Sequence, residues 1–364
     1  MHHLIANEIS SRLLDWYGVH HRILPWRLSP SDQLAGKKPD PYAVWLSEIM
    51  LQQTTVEAVK SYYYTFIQRW PNIRAMAAAS EDEILRAWAG LGYYSRARNL
   101  KKAADAIMAK HGGRFPETAA ALKTLPGIGD YTSAAIAAIA FGEPIAVVDG
   151  NIERVIARLY AIATPLPAAK AEIRQRMGAL TPEQRPGDFA QAMMDLGAMI
   201  CTPRRPACSL CPLNRDCAAL AGHDPELFPV KAPKAERPVR TGAAFVAIAD
   251  DGAILLQKRQ DKGLLANMSE VPGSRWSARL DGDTSVAAAP FPAQWEHVGV
   301  ISHIFTHFEL RLSVYRARNV ARSTPAHGWW VKQAQLGEEA LPTVMKKAIA
   351  AALPEAFKQG KRQH

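Results

Sequence analysis

Leu125-Pro126-Gly127-Ile128-Gly129-Asp130-Tyr131 opens the stretch that decides the fold, and an alanine-rich segment carries it into Val148-Asp149-Gly150-Asn151. Glycine enters left-handed backbone at no steric cost, so two glycines around one apolar residue predict a tight turn. That turn ends at the start of a helix, where backbone N–H groups can bind a phosphate oxygen. A Pro-Gly-x-Gly turn standing alone is also simply a connection between helices. Asp149, followed by Ile152, Val155, Ile156 and Leu159 at helical spacing, reads on its own as a helix N-cap. Thr132 to Val148 is the most apolar part of the chain, but it is short and interrupted by Gly142, Glu143 and Pro144. It predicts a buried helix and no membrane span.

Helical signals extend on both sides of this stretch. Asp40-Pro41 is an N-cap followed by proline at the first helical position, and Ser80-Glu81-Asp82-Glu83 has the capping-box pattern. Ile84, Leu85 and Trp88 hold core spacing until Gly90-Leu91-Gly92 interrupts, and the pattern resumes through Ala97, Leu100, Ala104 and Ile107 to Gly112-Gly113. Residues 223–240 change character, with His223, Pro229, Lys231, Pro233, Lys234, Arg237, Pro238 and Arg240 reading as a linker. Beyond it, Ala243–Ala249, Asp250-Asp251-Gly252 and Ala253–Lys258 predict a hairpin, His303–Arg316 a half-buried strand, and Leu341–Leu353 a helix. The 364 residues therefore predict two domains, a helical 1–222 and an α+β 241–364.

A net charge of +10 favours a polyanionic partner, nucleic acid ahead of an anionic membrane surface, through counterion release from phosphates. The first thirty residues lack the apolar run of a secretory signal, which predicts a cytoplasmic protein. All four cysteines, Cys201, Cys208, Cys211 and Cys217, lie in one loop with six, two and five residues between them. Such clustering points to a metal site, not a disulfide framework, and spacing alone leaves zinc and an iron-sulfur cluster open.

In order and spacing, the hairpin, the alanine-rich helix, Asp149-Gly150-Asn151 and the four-cysteine loop resemble the helix-hairpin-helix DNA glycosylases of the endonuclease III superfamily. The loop follows Gln191-Ala192-Met193-Met194-Asp195-Leu196-Gly197, as in that family. Trp45-Leu46-Ser47-Glu48-Ile49-Met50-Leu51-Gln52-Gln53-Thr54 and Gly90-Leu91-Gly92-Tyr93-Tyr94-Ser95-Arg96 narrow the resemblance to the MutY-type adenine glycosylases. The fold this implies is a mainly α helix-hairpin-helix glycosylase domain (hairpin about 122–142) with a [4Fe-4S] cluster loop at 201–217. An α+β Nudix-like C-terminal domain follows.

The roles implied by the resemblance are specific. Cys201, Cys208, Cys211 and Cys217 hold the [4Fe-4S] cluster. Asp149 stabilises the sugar cation or captures it covalently, Glu48 protonates adenine, and Tyr131 and Asn151 position them. Tyr131 occupies the place where the endonuclease III branch carries a Schiff-base lysine, so a monofunctional glycosylase is implied. Gln53 and Tyr93 fill the stack on base extrusion, Arg96, Arg98, Lys101 and Lys102 meet phosphates, Gly127 and Gly129 clamp the backbone, and Trp26 and Arg27 flank the adenine pocket. Residues 30–40 form a longer connection than the family's.

In the second domain the glutamate-rich metal-binding helix of a Nudix hydrolase is missing, which argues against pyrophosphatase activity. Phe305-Thr306-His307 stands where the family reads 8-oxoguanine, with Thr306 keeping a hydroxyl. The implied partner is duplex DNA with an 8-oxoguanine·adenine or guanine·adenine mispair, bound by a monomer without a membrane. Two readings stay beside it: an endonuclease III-like oxidised-pyrimidine glycosylase and lyase, and a non-catalytic iron-sulfur DNA-binding protein.

Overall fold

The structure, a computed structural model, describes residues 2–222, 224–232, 236–260, 263–323 and 328–357. His223, Pro233 and Lys234 of the expected linker lie outside the described residues. Helices come first in the chain: α1 (His2–His20), α2 (Pro30–Leu34), α3 (Pro41–Leu51), α4 (Val56–Arg69), α5 (Ile73–Ala78), α6 (Glu81–Trp88) and α7 (Ser95–His111). They continue as α8 (Ala119–Leu122), α9 (Asp130–Phe141), α10 (Gly150–Leu159), α11 (Lys170–Leu180), α12 (Pro186–Met199) and α13 (Ala218–Gly222). Then follow β1 (Val239–Ala247), β2 (Ile254–Lys258), β3 (Ser269–Glu270), β4 (Glu296–Ile304), β5 (Glu309–Ala317), β6 (Trp329–Val331) and α14 (Thr343–Ala352).

The helix boundaries follow their caps. The Asp40 carboxylate accepts from Tyr42 N–H at 2.9 Å with Pro41 at the first position of α3, and Ser80 and Glu83 form a reciprocal capping box at α6. Gly142 ends α9 with φ +74°, a left-handed C-cap. The long 30–40 connection folds into the short α2, whose Gln33 Nε2 donates to the buried Asp188 carboxylate at 2.7 Å.

By contacts the chain forms two units, Met1–Ala79 with Asn99–Lys234, and Ser80–Arg98 with Ala235–His364. The later boundary falls within the expected linker, but Ser80–Arg98, expected with the helical domain, groups with the second unit. Within that unit Arg98 Nη1 donates to Ala266 O at 2.6 Å and Lys258 pairs with Asp82 at 3.2 Å.

The first unit's core is built on α1, α9, α10, α11 and α12, from Leu13, Tyr17, Ala135, Ala138, Ile152, Ile156, Ile173, Phe189 and Met193. Each large side chain wholly buried there contributes roughly 1.5–3 kcal/mol. The alanines of α9 let α12 approach to backbone contact: a Cβ on Gly187 would lie 2.6 Å from Ala138 O. The second unit holds two three-stranded sheets, ordered β1-β5-β4 and β3-β2-β6, with Leu310, Leu312 and Val314 of β5 facing Val344, Met345 and Ile349 of α14.

Two strand expectations need correction. The hairpin of 243–258 is reduced to a single Ile248–Ile254 bridge, because β1 pairs along its whole length with β5 in parallel while β2 joins the other sheet. The strand expected over His303–Arg316 is two strands: β4 ends at Ile304, residues 305–308 turn, and β5 begins at Glu309. An alternating pattern does not reveal which partner a strand takes.

Candidate active site

Three helices of the first unit deliver acidic and hydroxyl groups to one cleft of about 490 Å³. Glu48 comes from the last turn of α3, Tyr131 from the first turn of α9, and Asp149 caps α10. The ends of α3 and α9 are tied by Gln52 Nε2, which donates to Thr132 Oγ1 at 3.0 Å. Asp149 accepts from Ile152 N–H at 2.7 Å and from Asn151 Nδ2 at 3.1 Å, so the cap that starts the helix also fixes the carboxylate. Asn151 is held in turn by Arg154 Nη2 at 2.9 Å, and Arg154 donates to the carbonyls of Gly197 and Cys201. A Cβ on Gly197 would lie 2.7 Å from Asn151 Cβ, so only glycine lets α10 and α12 meet at this point.

The environment sets the protonation of the two acids. Burial pushes the Glu48 carboxyl up to about 7, and the charge of Asp149 adds to that, against the lowering effects of the Tyr131 hydrogen bond and of Arg27. Tyr131 donates its hydroxyl to one side of Glu48, while Oε2 is buried with no hydrogen-bond partner among the described residues. A buried, uncommitted carboxyl oxygen is suited to give a proton to a ligand. Asp149 is also raised by burial, and its hydrogen bonds from Ile152 and Asn151 pull the other way. The cleft therefore holds one group poised to donate a proton near neutrality beside a second carboxyl whose charged form is supported by two hydrogen bonds against its burial.

Of the other expected residues, Trp26, Arg27 and Gln53 line the same cleft, Trp26 packed edge-on against Tyr63 with ring centroids 5.2 Å apart and Gln53 at φ +61°. The 125–129 turn also forms as expected: Gly127 sits at φ +76°, and a Cβ there would lie 2.5 Å from Asn99 Cβ. Gly129 caps α9 without a side-chain acceptor, although Lys123 and Asp130 are ion-paired at 2.5 Å beside it.

Tyr93, Arg96, Phe305, Thr306 and His307 stand in the second unit. Tyr93 is half exposed at φ +48°, and its hydroxyl lies 3.4 Å from Thr306 Oγ1. Thr306 and His307 are exposed on the β4–β5 turn, whereas Phe305 stacks on Phe308 at 4.8 Å. The expectation that Arg96 meets phosphate is corrected. It is 7% exposed, donates Nη2 to Leu91 O and Gly92 O, and lies over the Trp88 ring at 5.1 Å, so it braces the Gly90–Tyr93 turn. Arg98 and Lys101, of the same basic group, are likewise engaged with the carbonyls of Ala266 and Ala77.

Cys201, Cys208, Cys211 and Cys217 surround one small cavity of about 30 Å³, and none is in a disulfide. Arg158, 2% exposed, donates Nη1 to Cys201 Sγ at 3.3 Å. Burial pushes the Cys211 thiol up to about 12, with the three neighbouring cysteines adding to it. Among the described residues no three His, Cys, Asp or Glu side chains close on a single ion. Four soft sulfurs around one space beside a buried guanidinium are a donor set that fits a thiolate-ligated cluster.

Sequence reading missed Arg22, Gln191, Lys170 and Glu153, which also line the cleft, and the wholly buried Asp195 behind it. Asp188, Gln191 and Asp195 recur three and four residues apart in an otherwise apolar helix, and that spacing was the available signal.

Residues 46–182 match the HhH-GPD superfamily of base excision DNA repair proteins, and residues 243–351 match a NUDIX domain. An adenine DNA glycosylase of Homo sapiens is 36% identical over 93% of this chain and 72% of its own length. One from Buchnera aphidicola subsp. Baizongia pistaciae (strain Bp) is 37% identical over 69% of this chain and 70% of its own. Among solved structures, a thermostable thymine-DNA glycosylase aligns with TM-score 0.52 at 29% identity over 59% of this chain and 96% of its own. A trapped endonuclease III–DNA covalent intermediate aligns at TM-score 0.50 and 21% identity over 60% and 97%, a likeness of fold.

Proposed function

This chain belongs to the adenine DNA glycosylases of base excision repair, and we propose on that premise that its substrate is adenine opposite 8-oxoguanine or guanine in duplex DNA, cleaved by hydrolysis alone. The observation that carries the reading is the pairing of Glu48 and Asp149 in one cleft, with Tyr131 hydrogen-bonded to Glu48 and Glu48 Oε2 unclaimed. An adenine extruded into the cleft takes its proton from Glu48. As the glycosidic bond breaks, the base leaves neutral and positive charge grows on the sugar, where Asp149 stabilises it. Asn151, held by Arg154, keeps the Asp149 carboxylate in place. Thr306 and Tyr93 offer hydroxyls to the base opposite.

The four cysteines would hold a [4Fe-4S] cluster, whose ligation would tie down the loop carrying the exposed Arg204, Arg205 and Arg215, residues suited to phosphate contact. Purified protein is expected to carry about four irons per chain. Cys211→Ser, which deletes one of these partly buried thiols, should lower both iron content and duplex affinity, read by iron assay and filter binding.

The reaction test uses a duplex with one 8-oxoguanine·adenine pair. Free adenine should appear, with strand breaks only after alkali, because Tyr131 offers no amine to attack the sugar. Lys170 does line the cleft, ion-paired to Glu153 at 3.0 Å. Breaks without alkali that vanish in Lys170→Ala would replace hydrolysis with a lyase route.

A further inference from the structure

Behind the cleft, α12 presents a carboxylate that no solvent reaches. Asp195 is 0% exposed, yet it collects donors from the segment that links α1 to α2. Arg27 Nη1 lies 2.9 Å from both of its oxygens, Arg22 Nε lies 2.5 Å from Oδ1, and the Arg22 backbone N–H lies 2.9 Å from Oδ2. Both arginines line the cleft, and Arg27 keeps only 9% of its side chain exposed. The Tyr17 hydroxyl, buried from α1, faces the same charges and has no hydrogen-bond partner among the described residues.

A buried carboxylate under two guanidiniums is costly to assemble, since each charge must leave water. A structural staple between a loop and a helix needs no charge, because apolar contact would do as well. Here the charges converge where the protonation of Glu48 is decided: Arg27 acts on Glu48 electrostatically, alongside Tyr131 and Asp149. We infer that Asp195 is a positioning residue for the glycosylase reaction: it holds Arg27 in a fixed place at the cleft and offsets its charge, so that Glu48 keeps its proton. The inference rests on the function proposed above, and it assigns α12 a part in the chemistry beyond lining the cleft with Gln191.

The groups facing this centre are few. Arg22 and Arg27 bind Asp195, Tyr17 faces these three and Asp188, and the His21 ring lies 5.7 Å from that of Tyr17. Tyr131, Arg27 and Asp149 surround Glu48. Removing the negative charge of Asp195 leaves Arg27 uncompensated, which draws the proton off Glu48 at lower pH.

The test is the single-turnover rate of adenine release against pH, on the 8-oxoguanine·adenine duplex, for wild type, Asp195→Asn and Asp195→Asn/Arg27→Gln, with duplex affinity measured beside it. In Asp195→Asn the alkaline limb should move about one pH unit toward acid, so the rate should fall about ninefold at pH 8 but only about twofold at pH 6. In the double variant, where the cation is gone too, the limb should return to the wild-type position or above it, whatever its plateau. Should Asp195→Asn not fold, the double variant still decides, because a limb below wild type contradicts the inference. A loss equal at every pH would make Asp195 a structural residue only, and an unmoved profile would overturn the inference outright. Absence of adenine from wild type would instead reject the underlying function.

Discussion

Glu48→Gln is expected to release adenine on the order of 10³-fold more slowly than wild type while binding the duplex normally and melting at a higher temperature above neutral pH. The kinetic half follows from chemistry: glutamine has the size of glutamate but no proton to give, and adenine leaves poorly as an anion. The stability half follows from linkage. The folded-state pKa of Glu48, about 7, lies above the 4.5 of an ordinary glutamate. A group raised on folding contributes fully below its unfolded value and loses that contribution as pH climbs through its folded value. Between about pH 4 and pH 8 wild type should therefore lose roughly 3 kcal/mol relative to the glutamine variant, which does not titrate. Single-turnover kinetics and melting curves at both pH values check the two halves together. A variant that is inactive and also less stable at pH 8 would mean that Glu48 is ionised and paired in the native protein, and that the proton comes from elsewhere.

The same burial predicts how wild-type activity varies with pH. Excision needs Glu48 protonated and Asp149 ionised, so the rate should fall as pH rises through about 7 and fall again in acid as Asp149 takes up a proton. Each limb belongs to one carboxyl, and each substitution should erase its own.

How much of this was legible in the sequence depended on whether a residue's role is local. Asp149 caps the helix that follows it, Gly127 needs its left-handed turn, and Asp40 and Ser80 cap their helices, so short windows contained the whole reason for each. Glu48 was legible through the run around it, but its raised pKa comes from the burial that α3 acquires only on packing. Asp195 showed in the sequence only as a polar residue at helical spacing, and its role as a site stayed hidden because its partners lie 168 and 173 residues away. Arg96 failed in the opposite direction. A basic residue in a basic helix suggests phosphate, yet its guanidinium folds back onto carbonyls four and five residues upstream. The strands of the second unit failed because alternation fixes which face is buried and says nothing of which neighbour pairs, so β1 took the distant β5.

Asp149→Asn should cost on the order of 10³-fold in adenine release with little loss of fold, and the contrast between the two is the point of the substitution. Asp149 has two duties that alanine would remove together: it caps α10 by accepting from Ile152 N–H at 2.7 Å, and it presents charge to the cleft. Asparagine keeps an oxygen for the cap, so stability should stay within about 1 kcal/mol of wild type. It removes the negative charge, and its amide must also face Asn151 Nδ2, which in wild type donates to Asp149 Oδ2 at 3.1 Å. The sugar cation then develops beside a neutral group in a buried site, where electrostatic stabilisation is worth most. Loss of the acid limb together with the rate, at unchanged melting temperature, would assign both to the carboxylate. Because Asp149 helps raise Glu48, the remaining alkaline limb should also move toward acid. A variant that keeps near-wild-type rates would leave the cation to be stabilised by the DNA itself, and the cleft would then act through Glu48 alone.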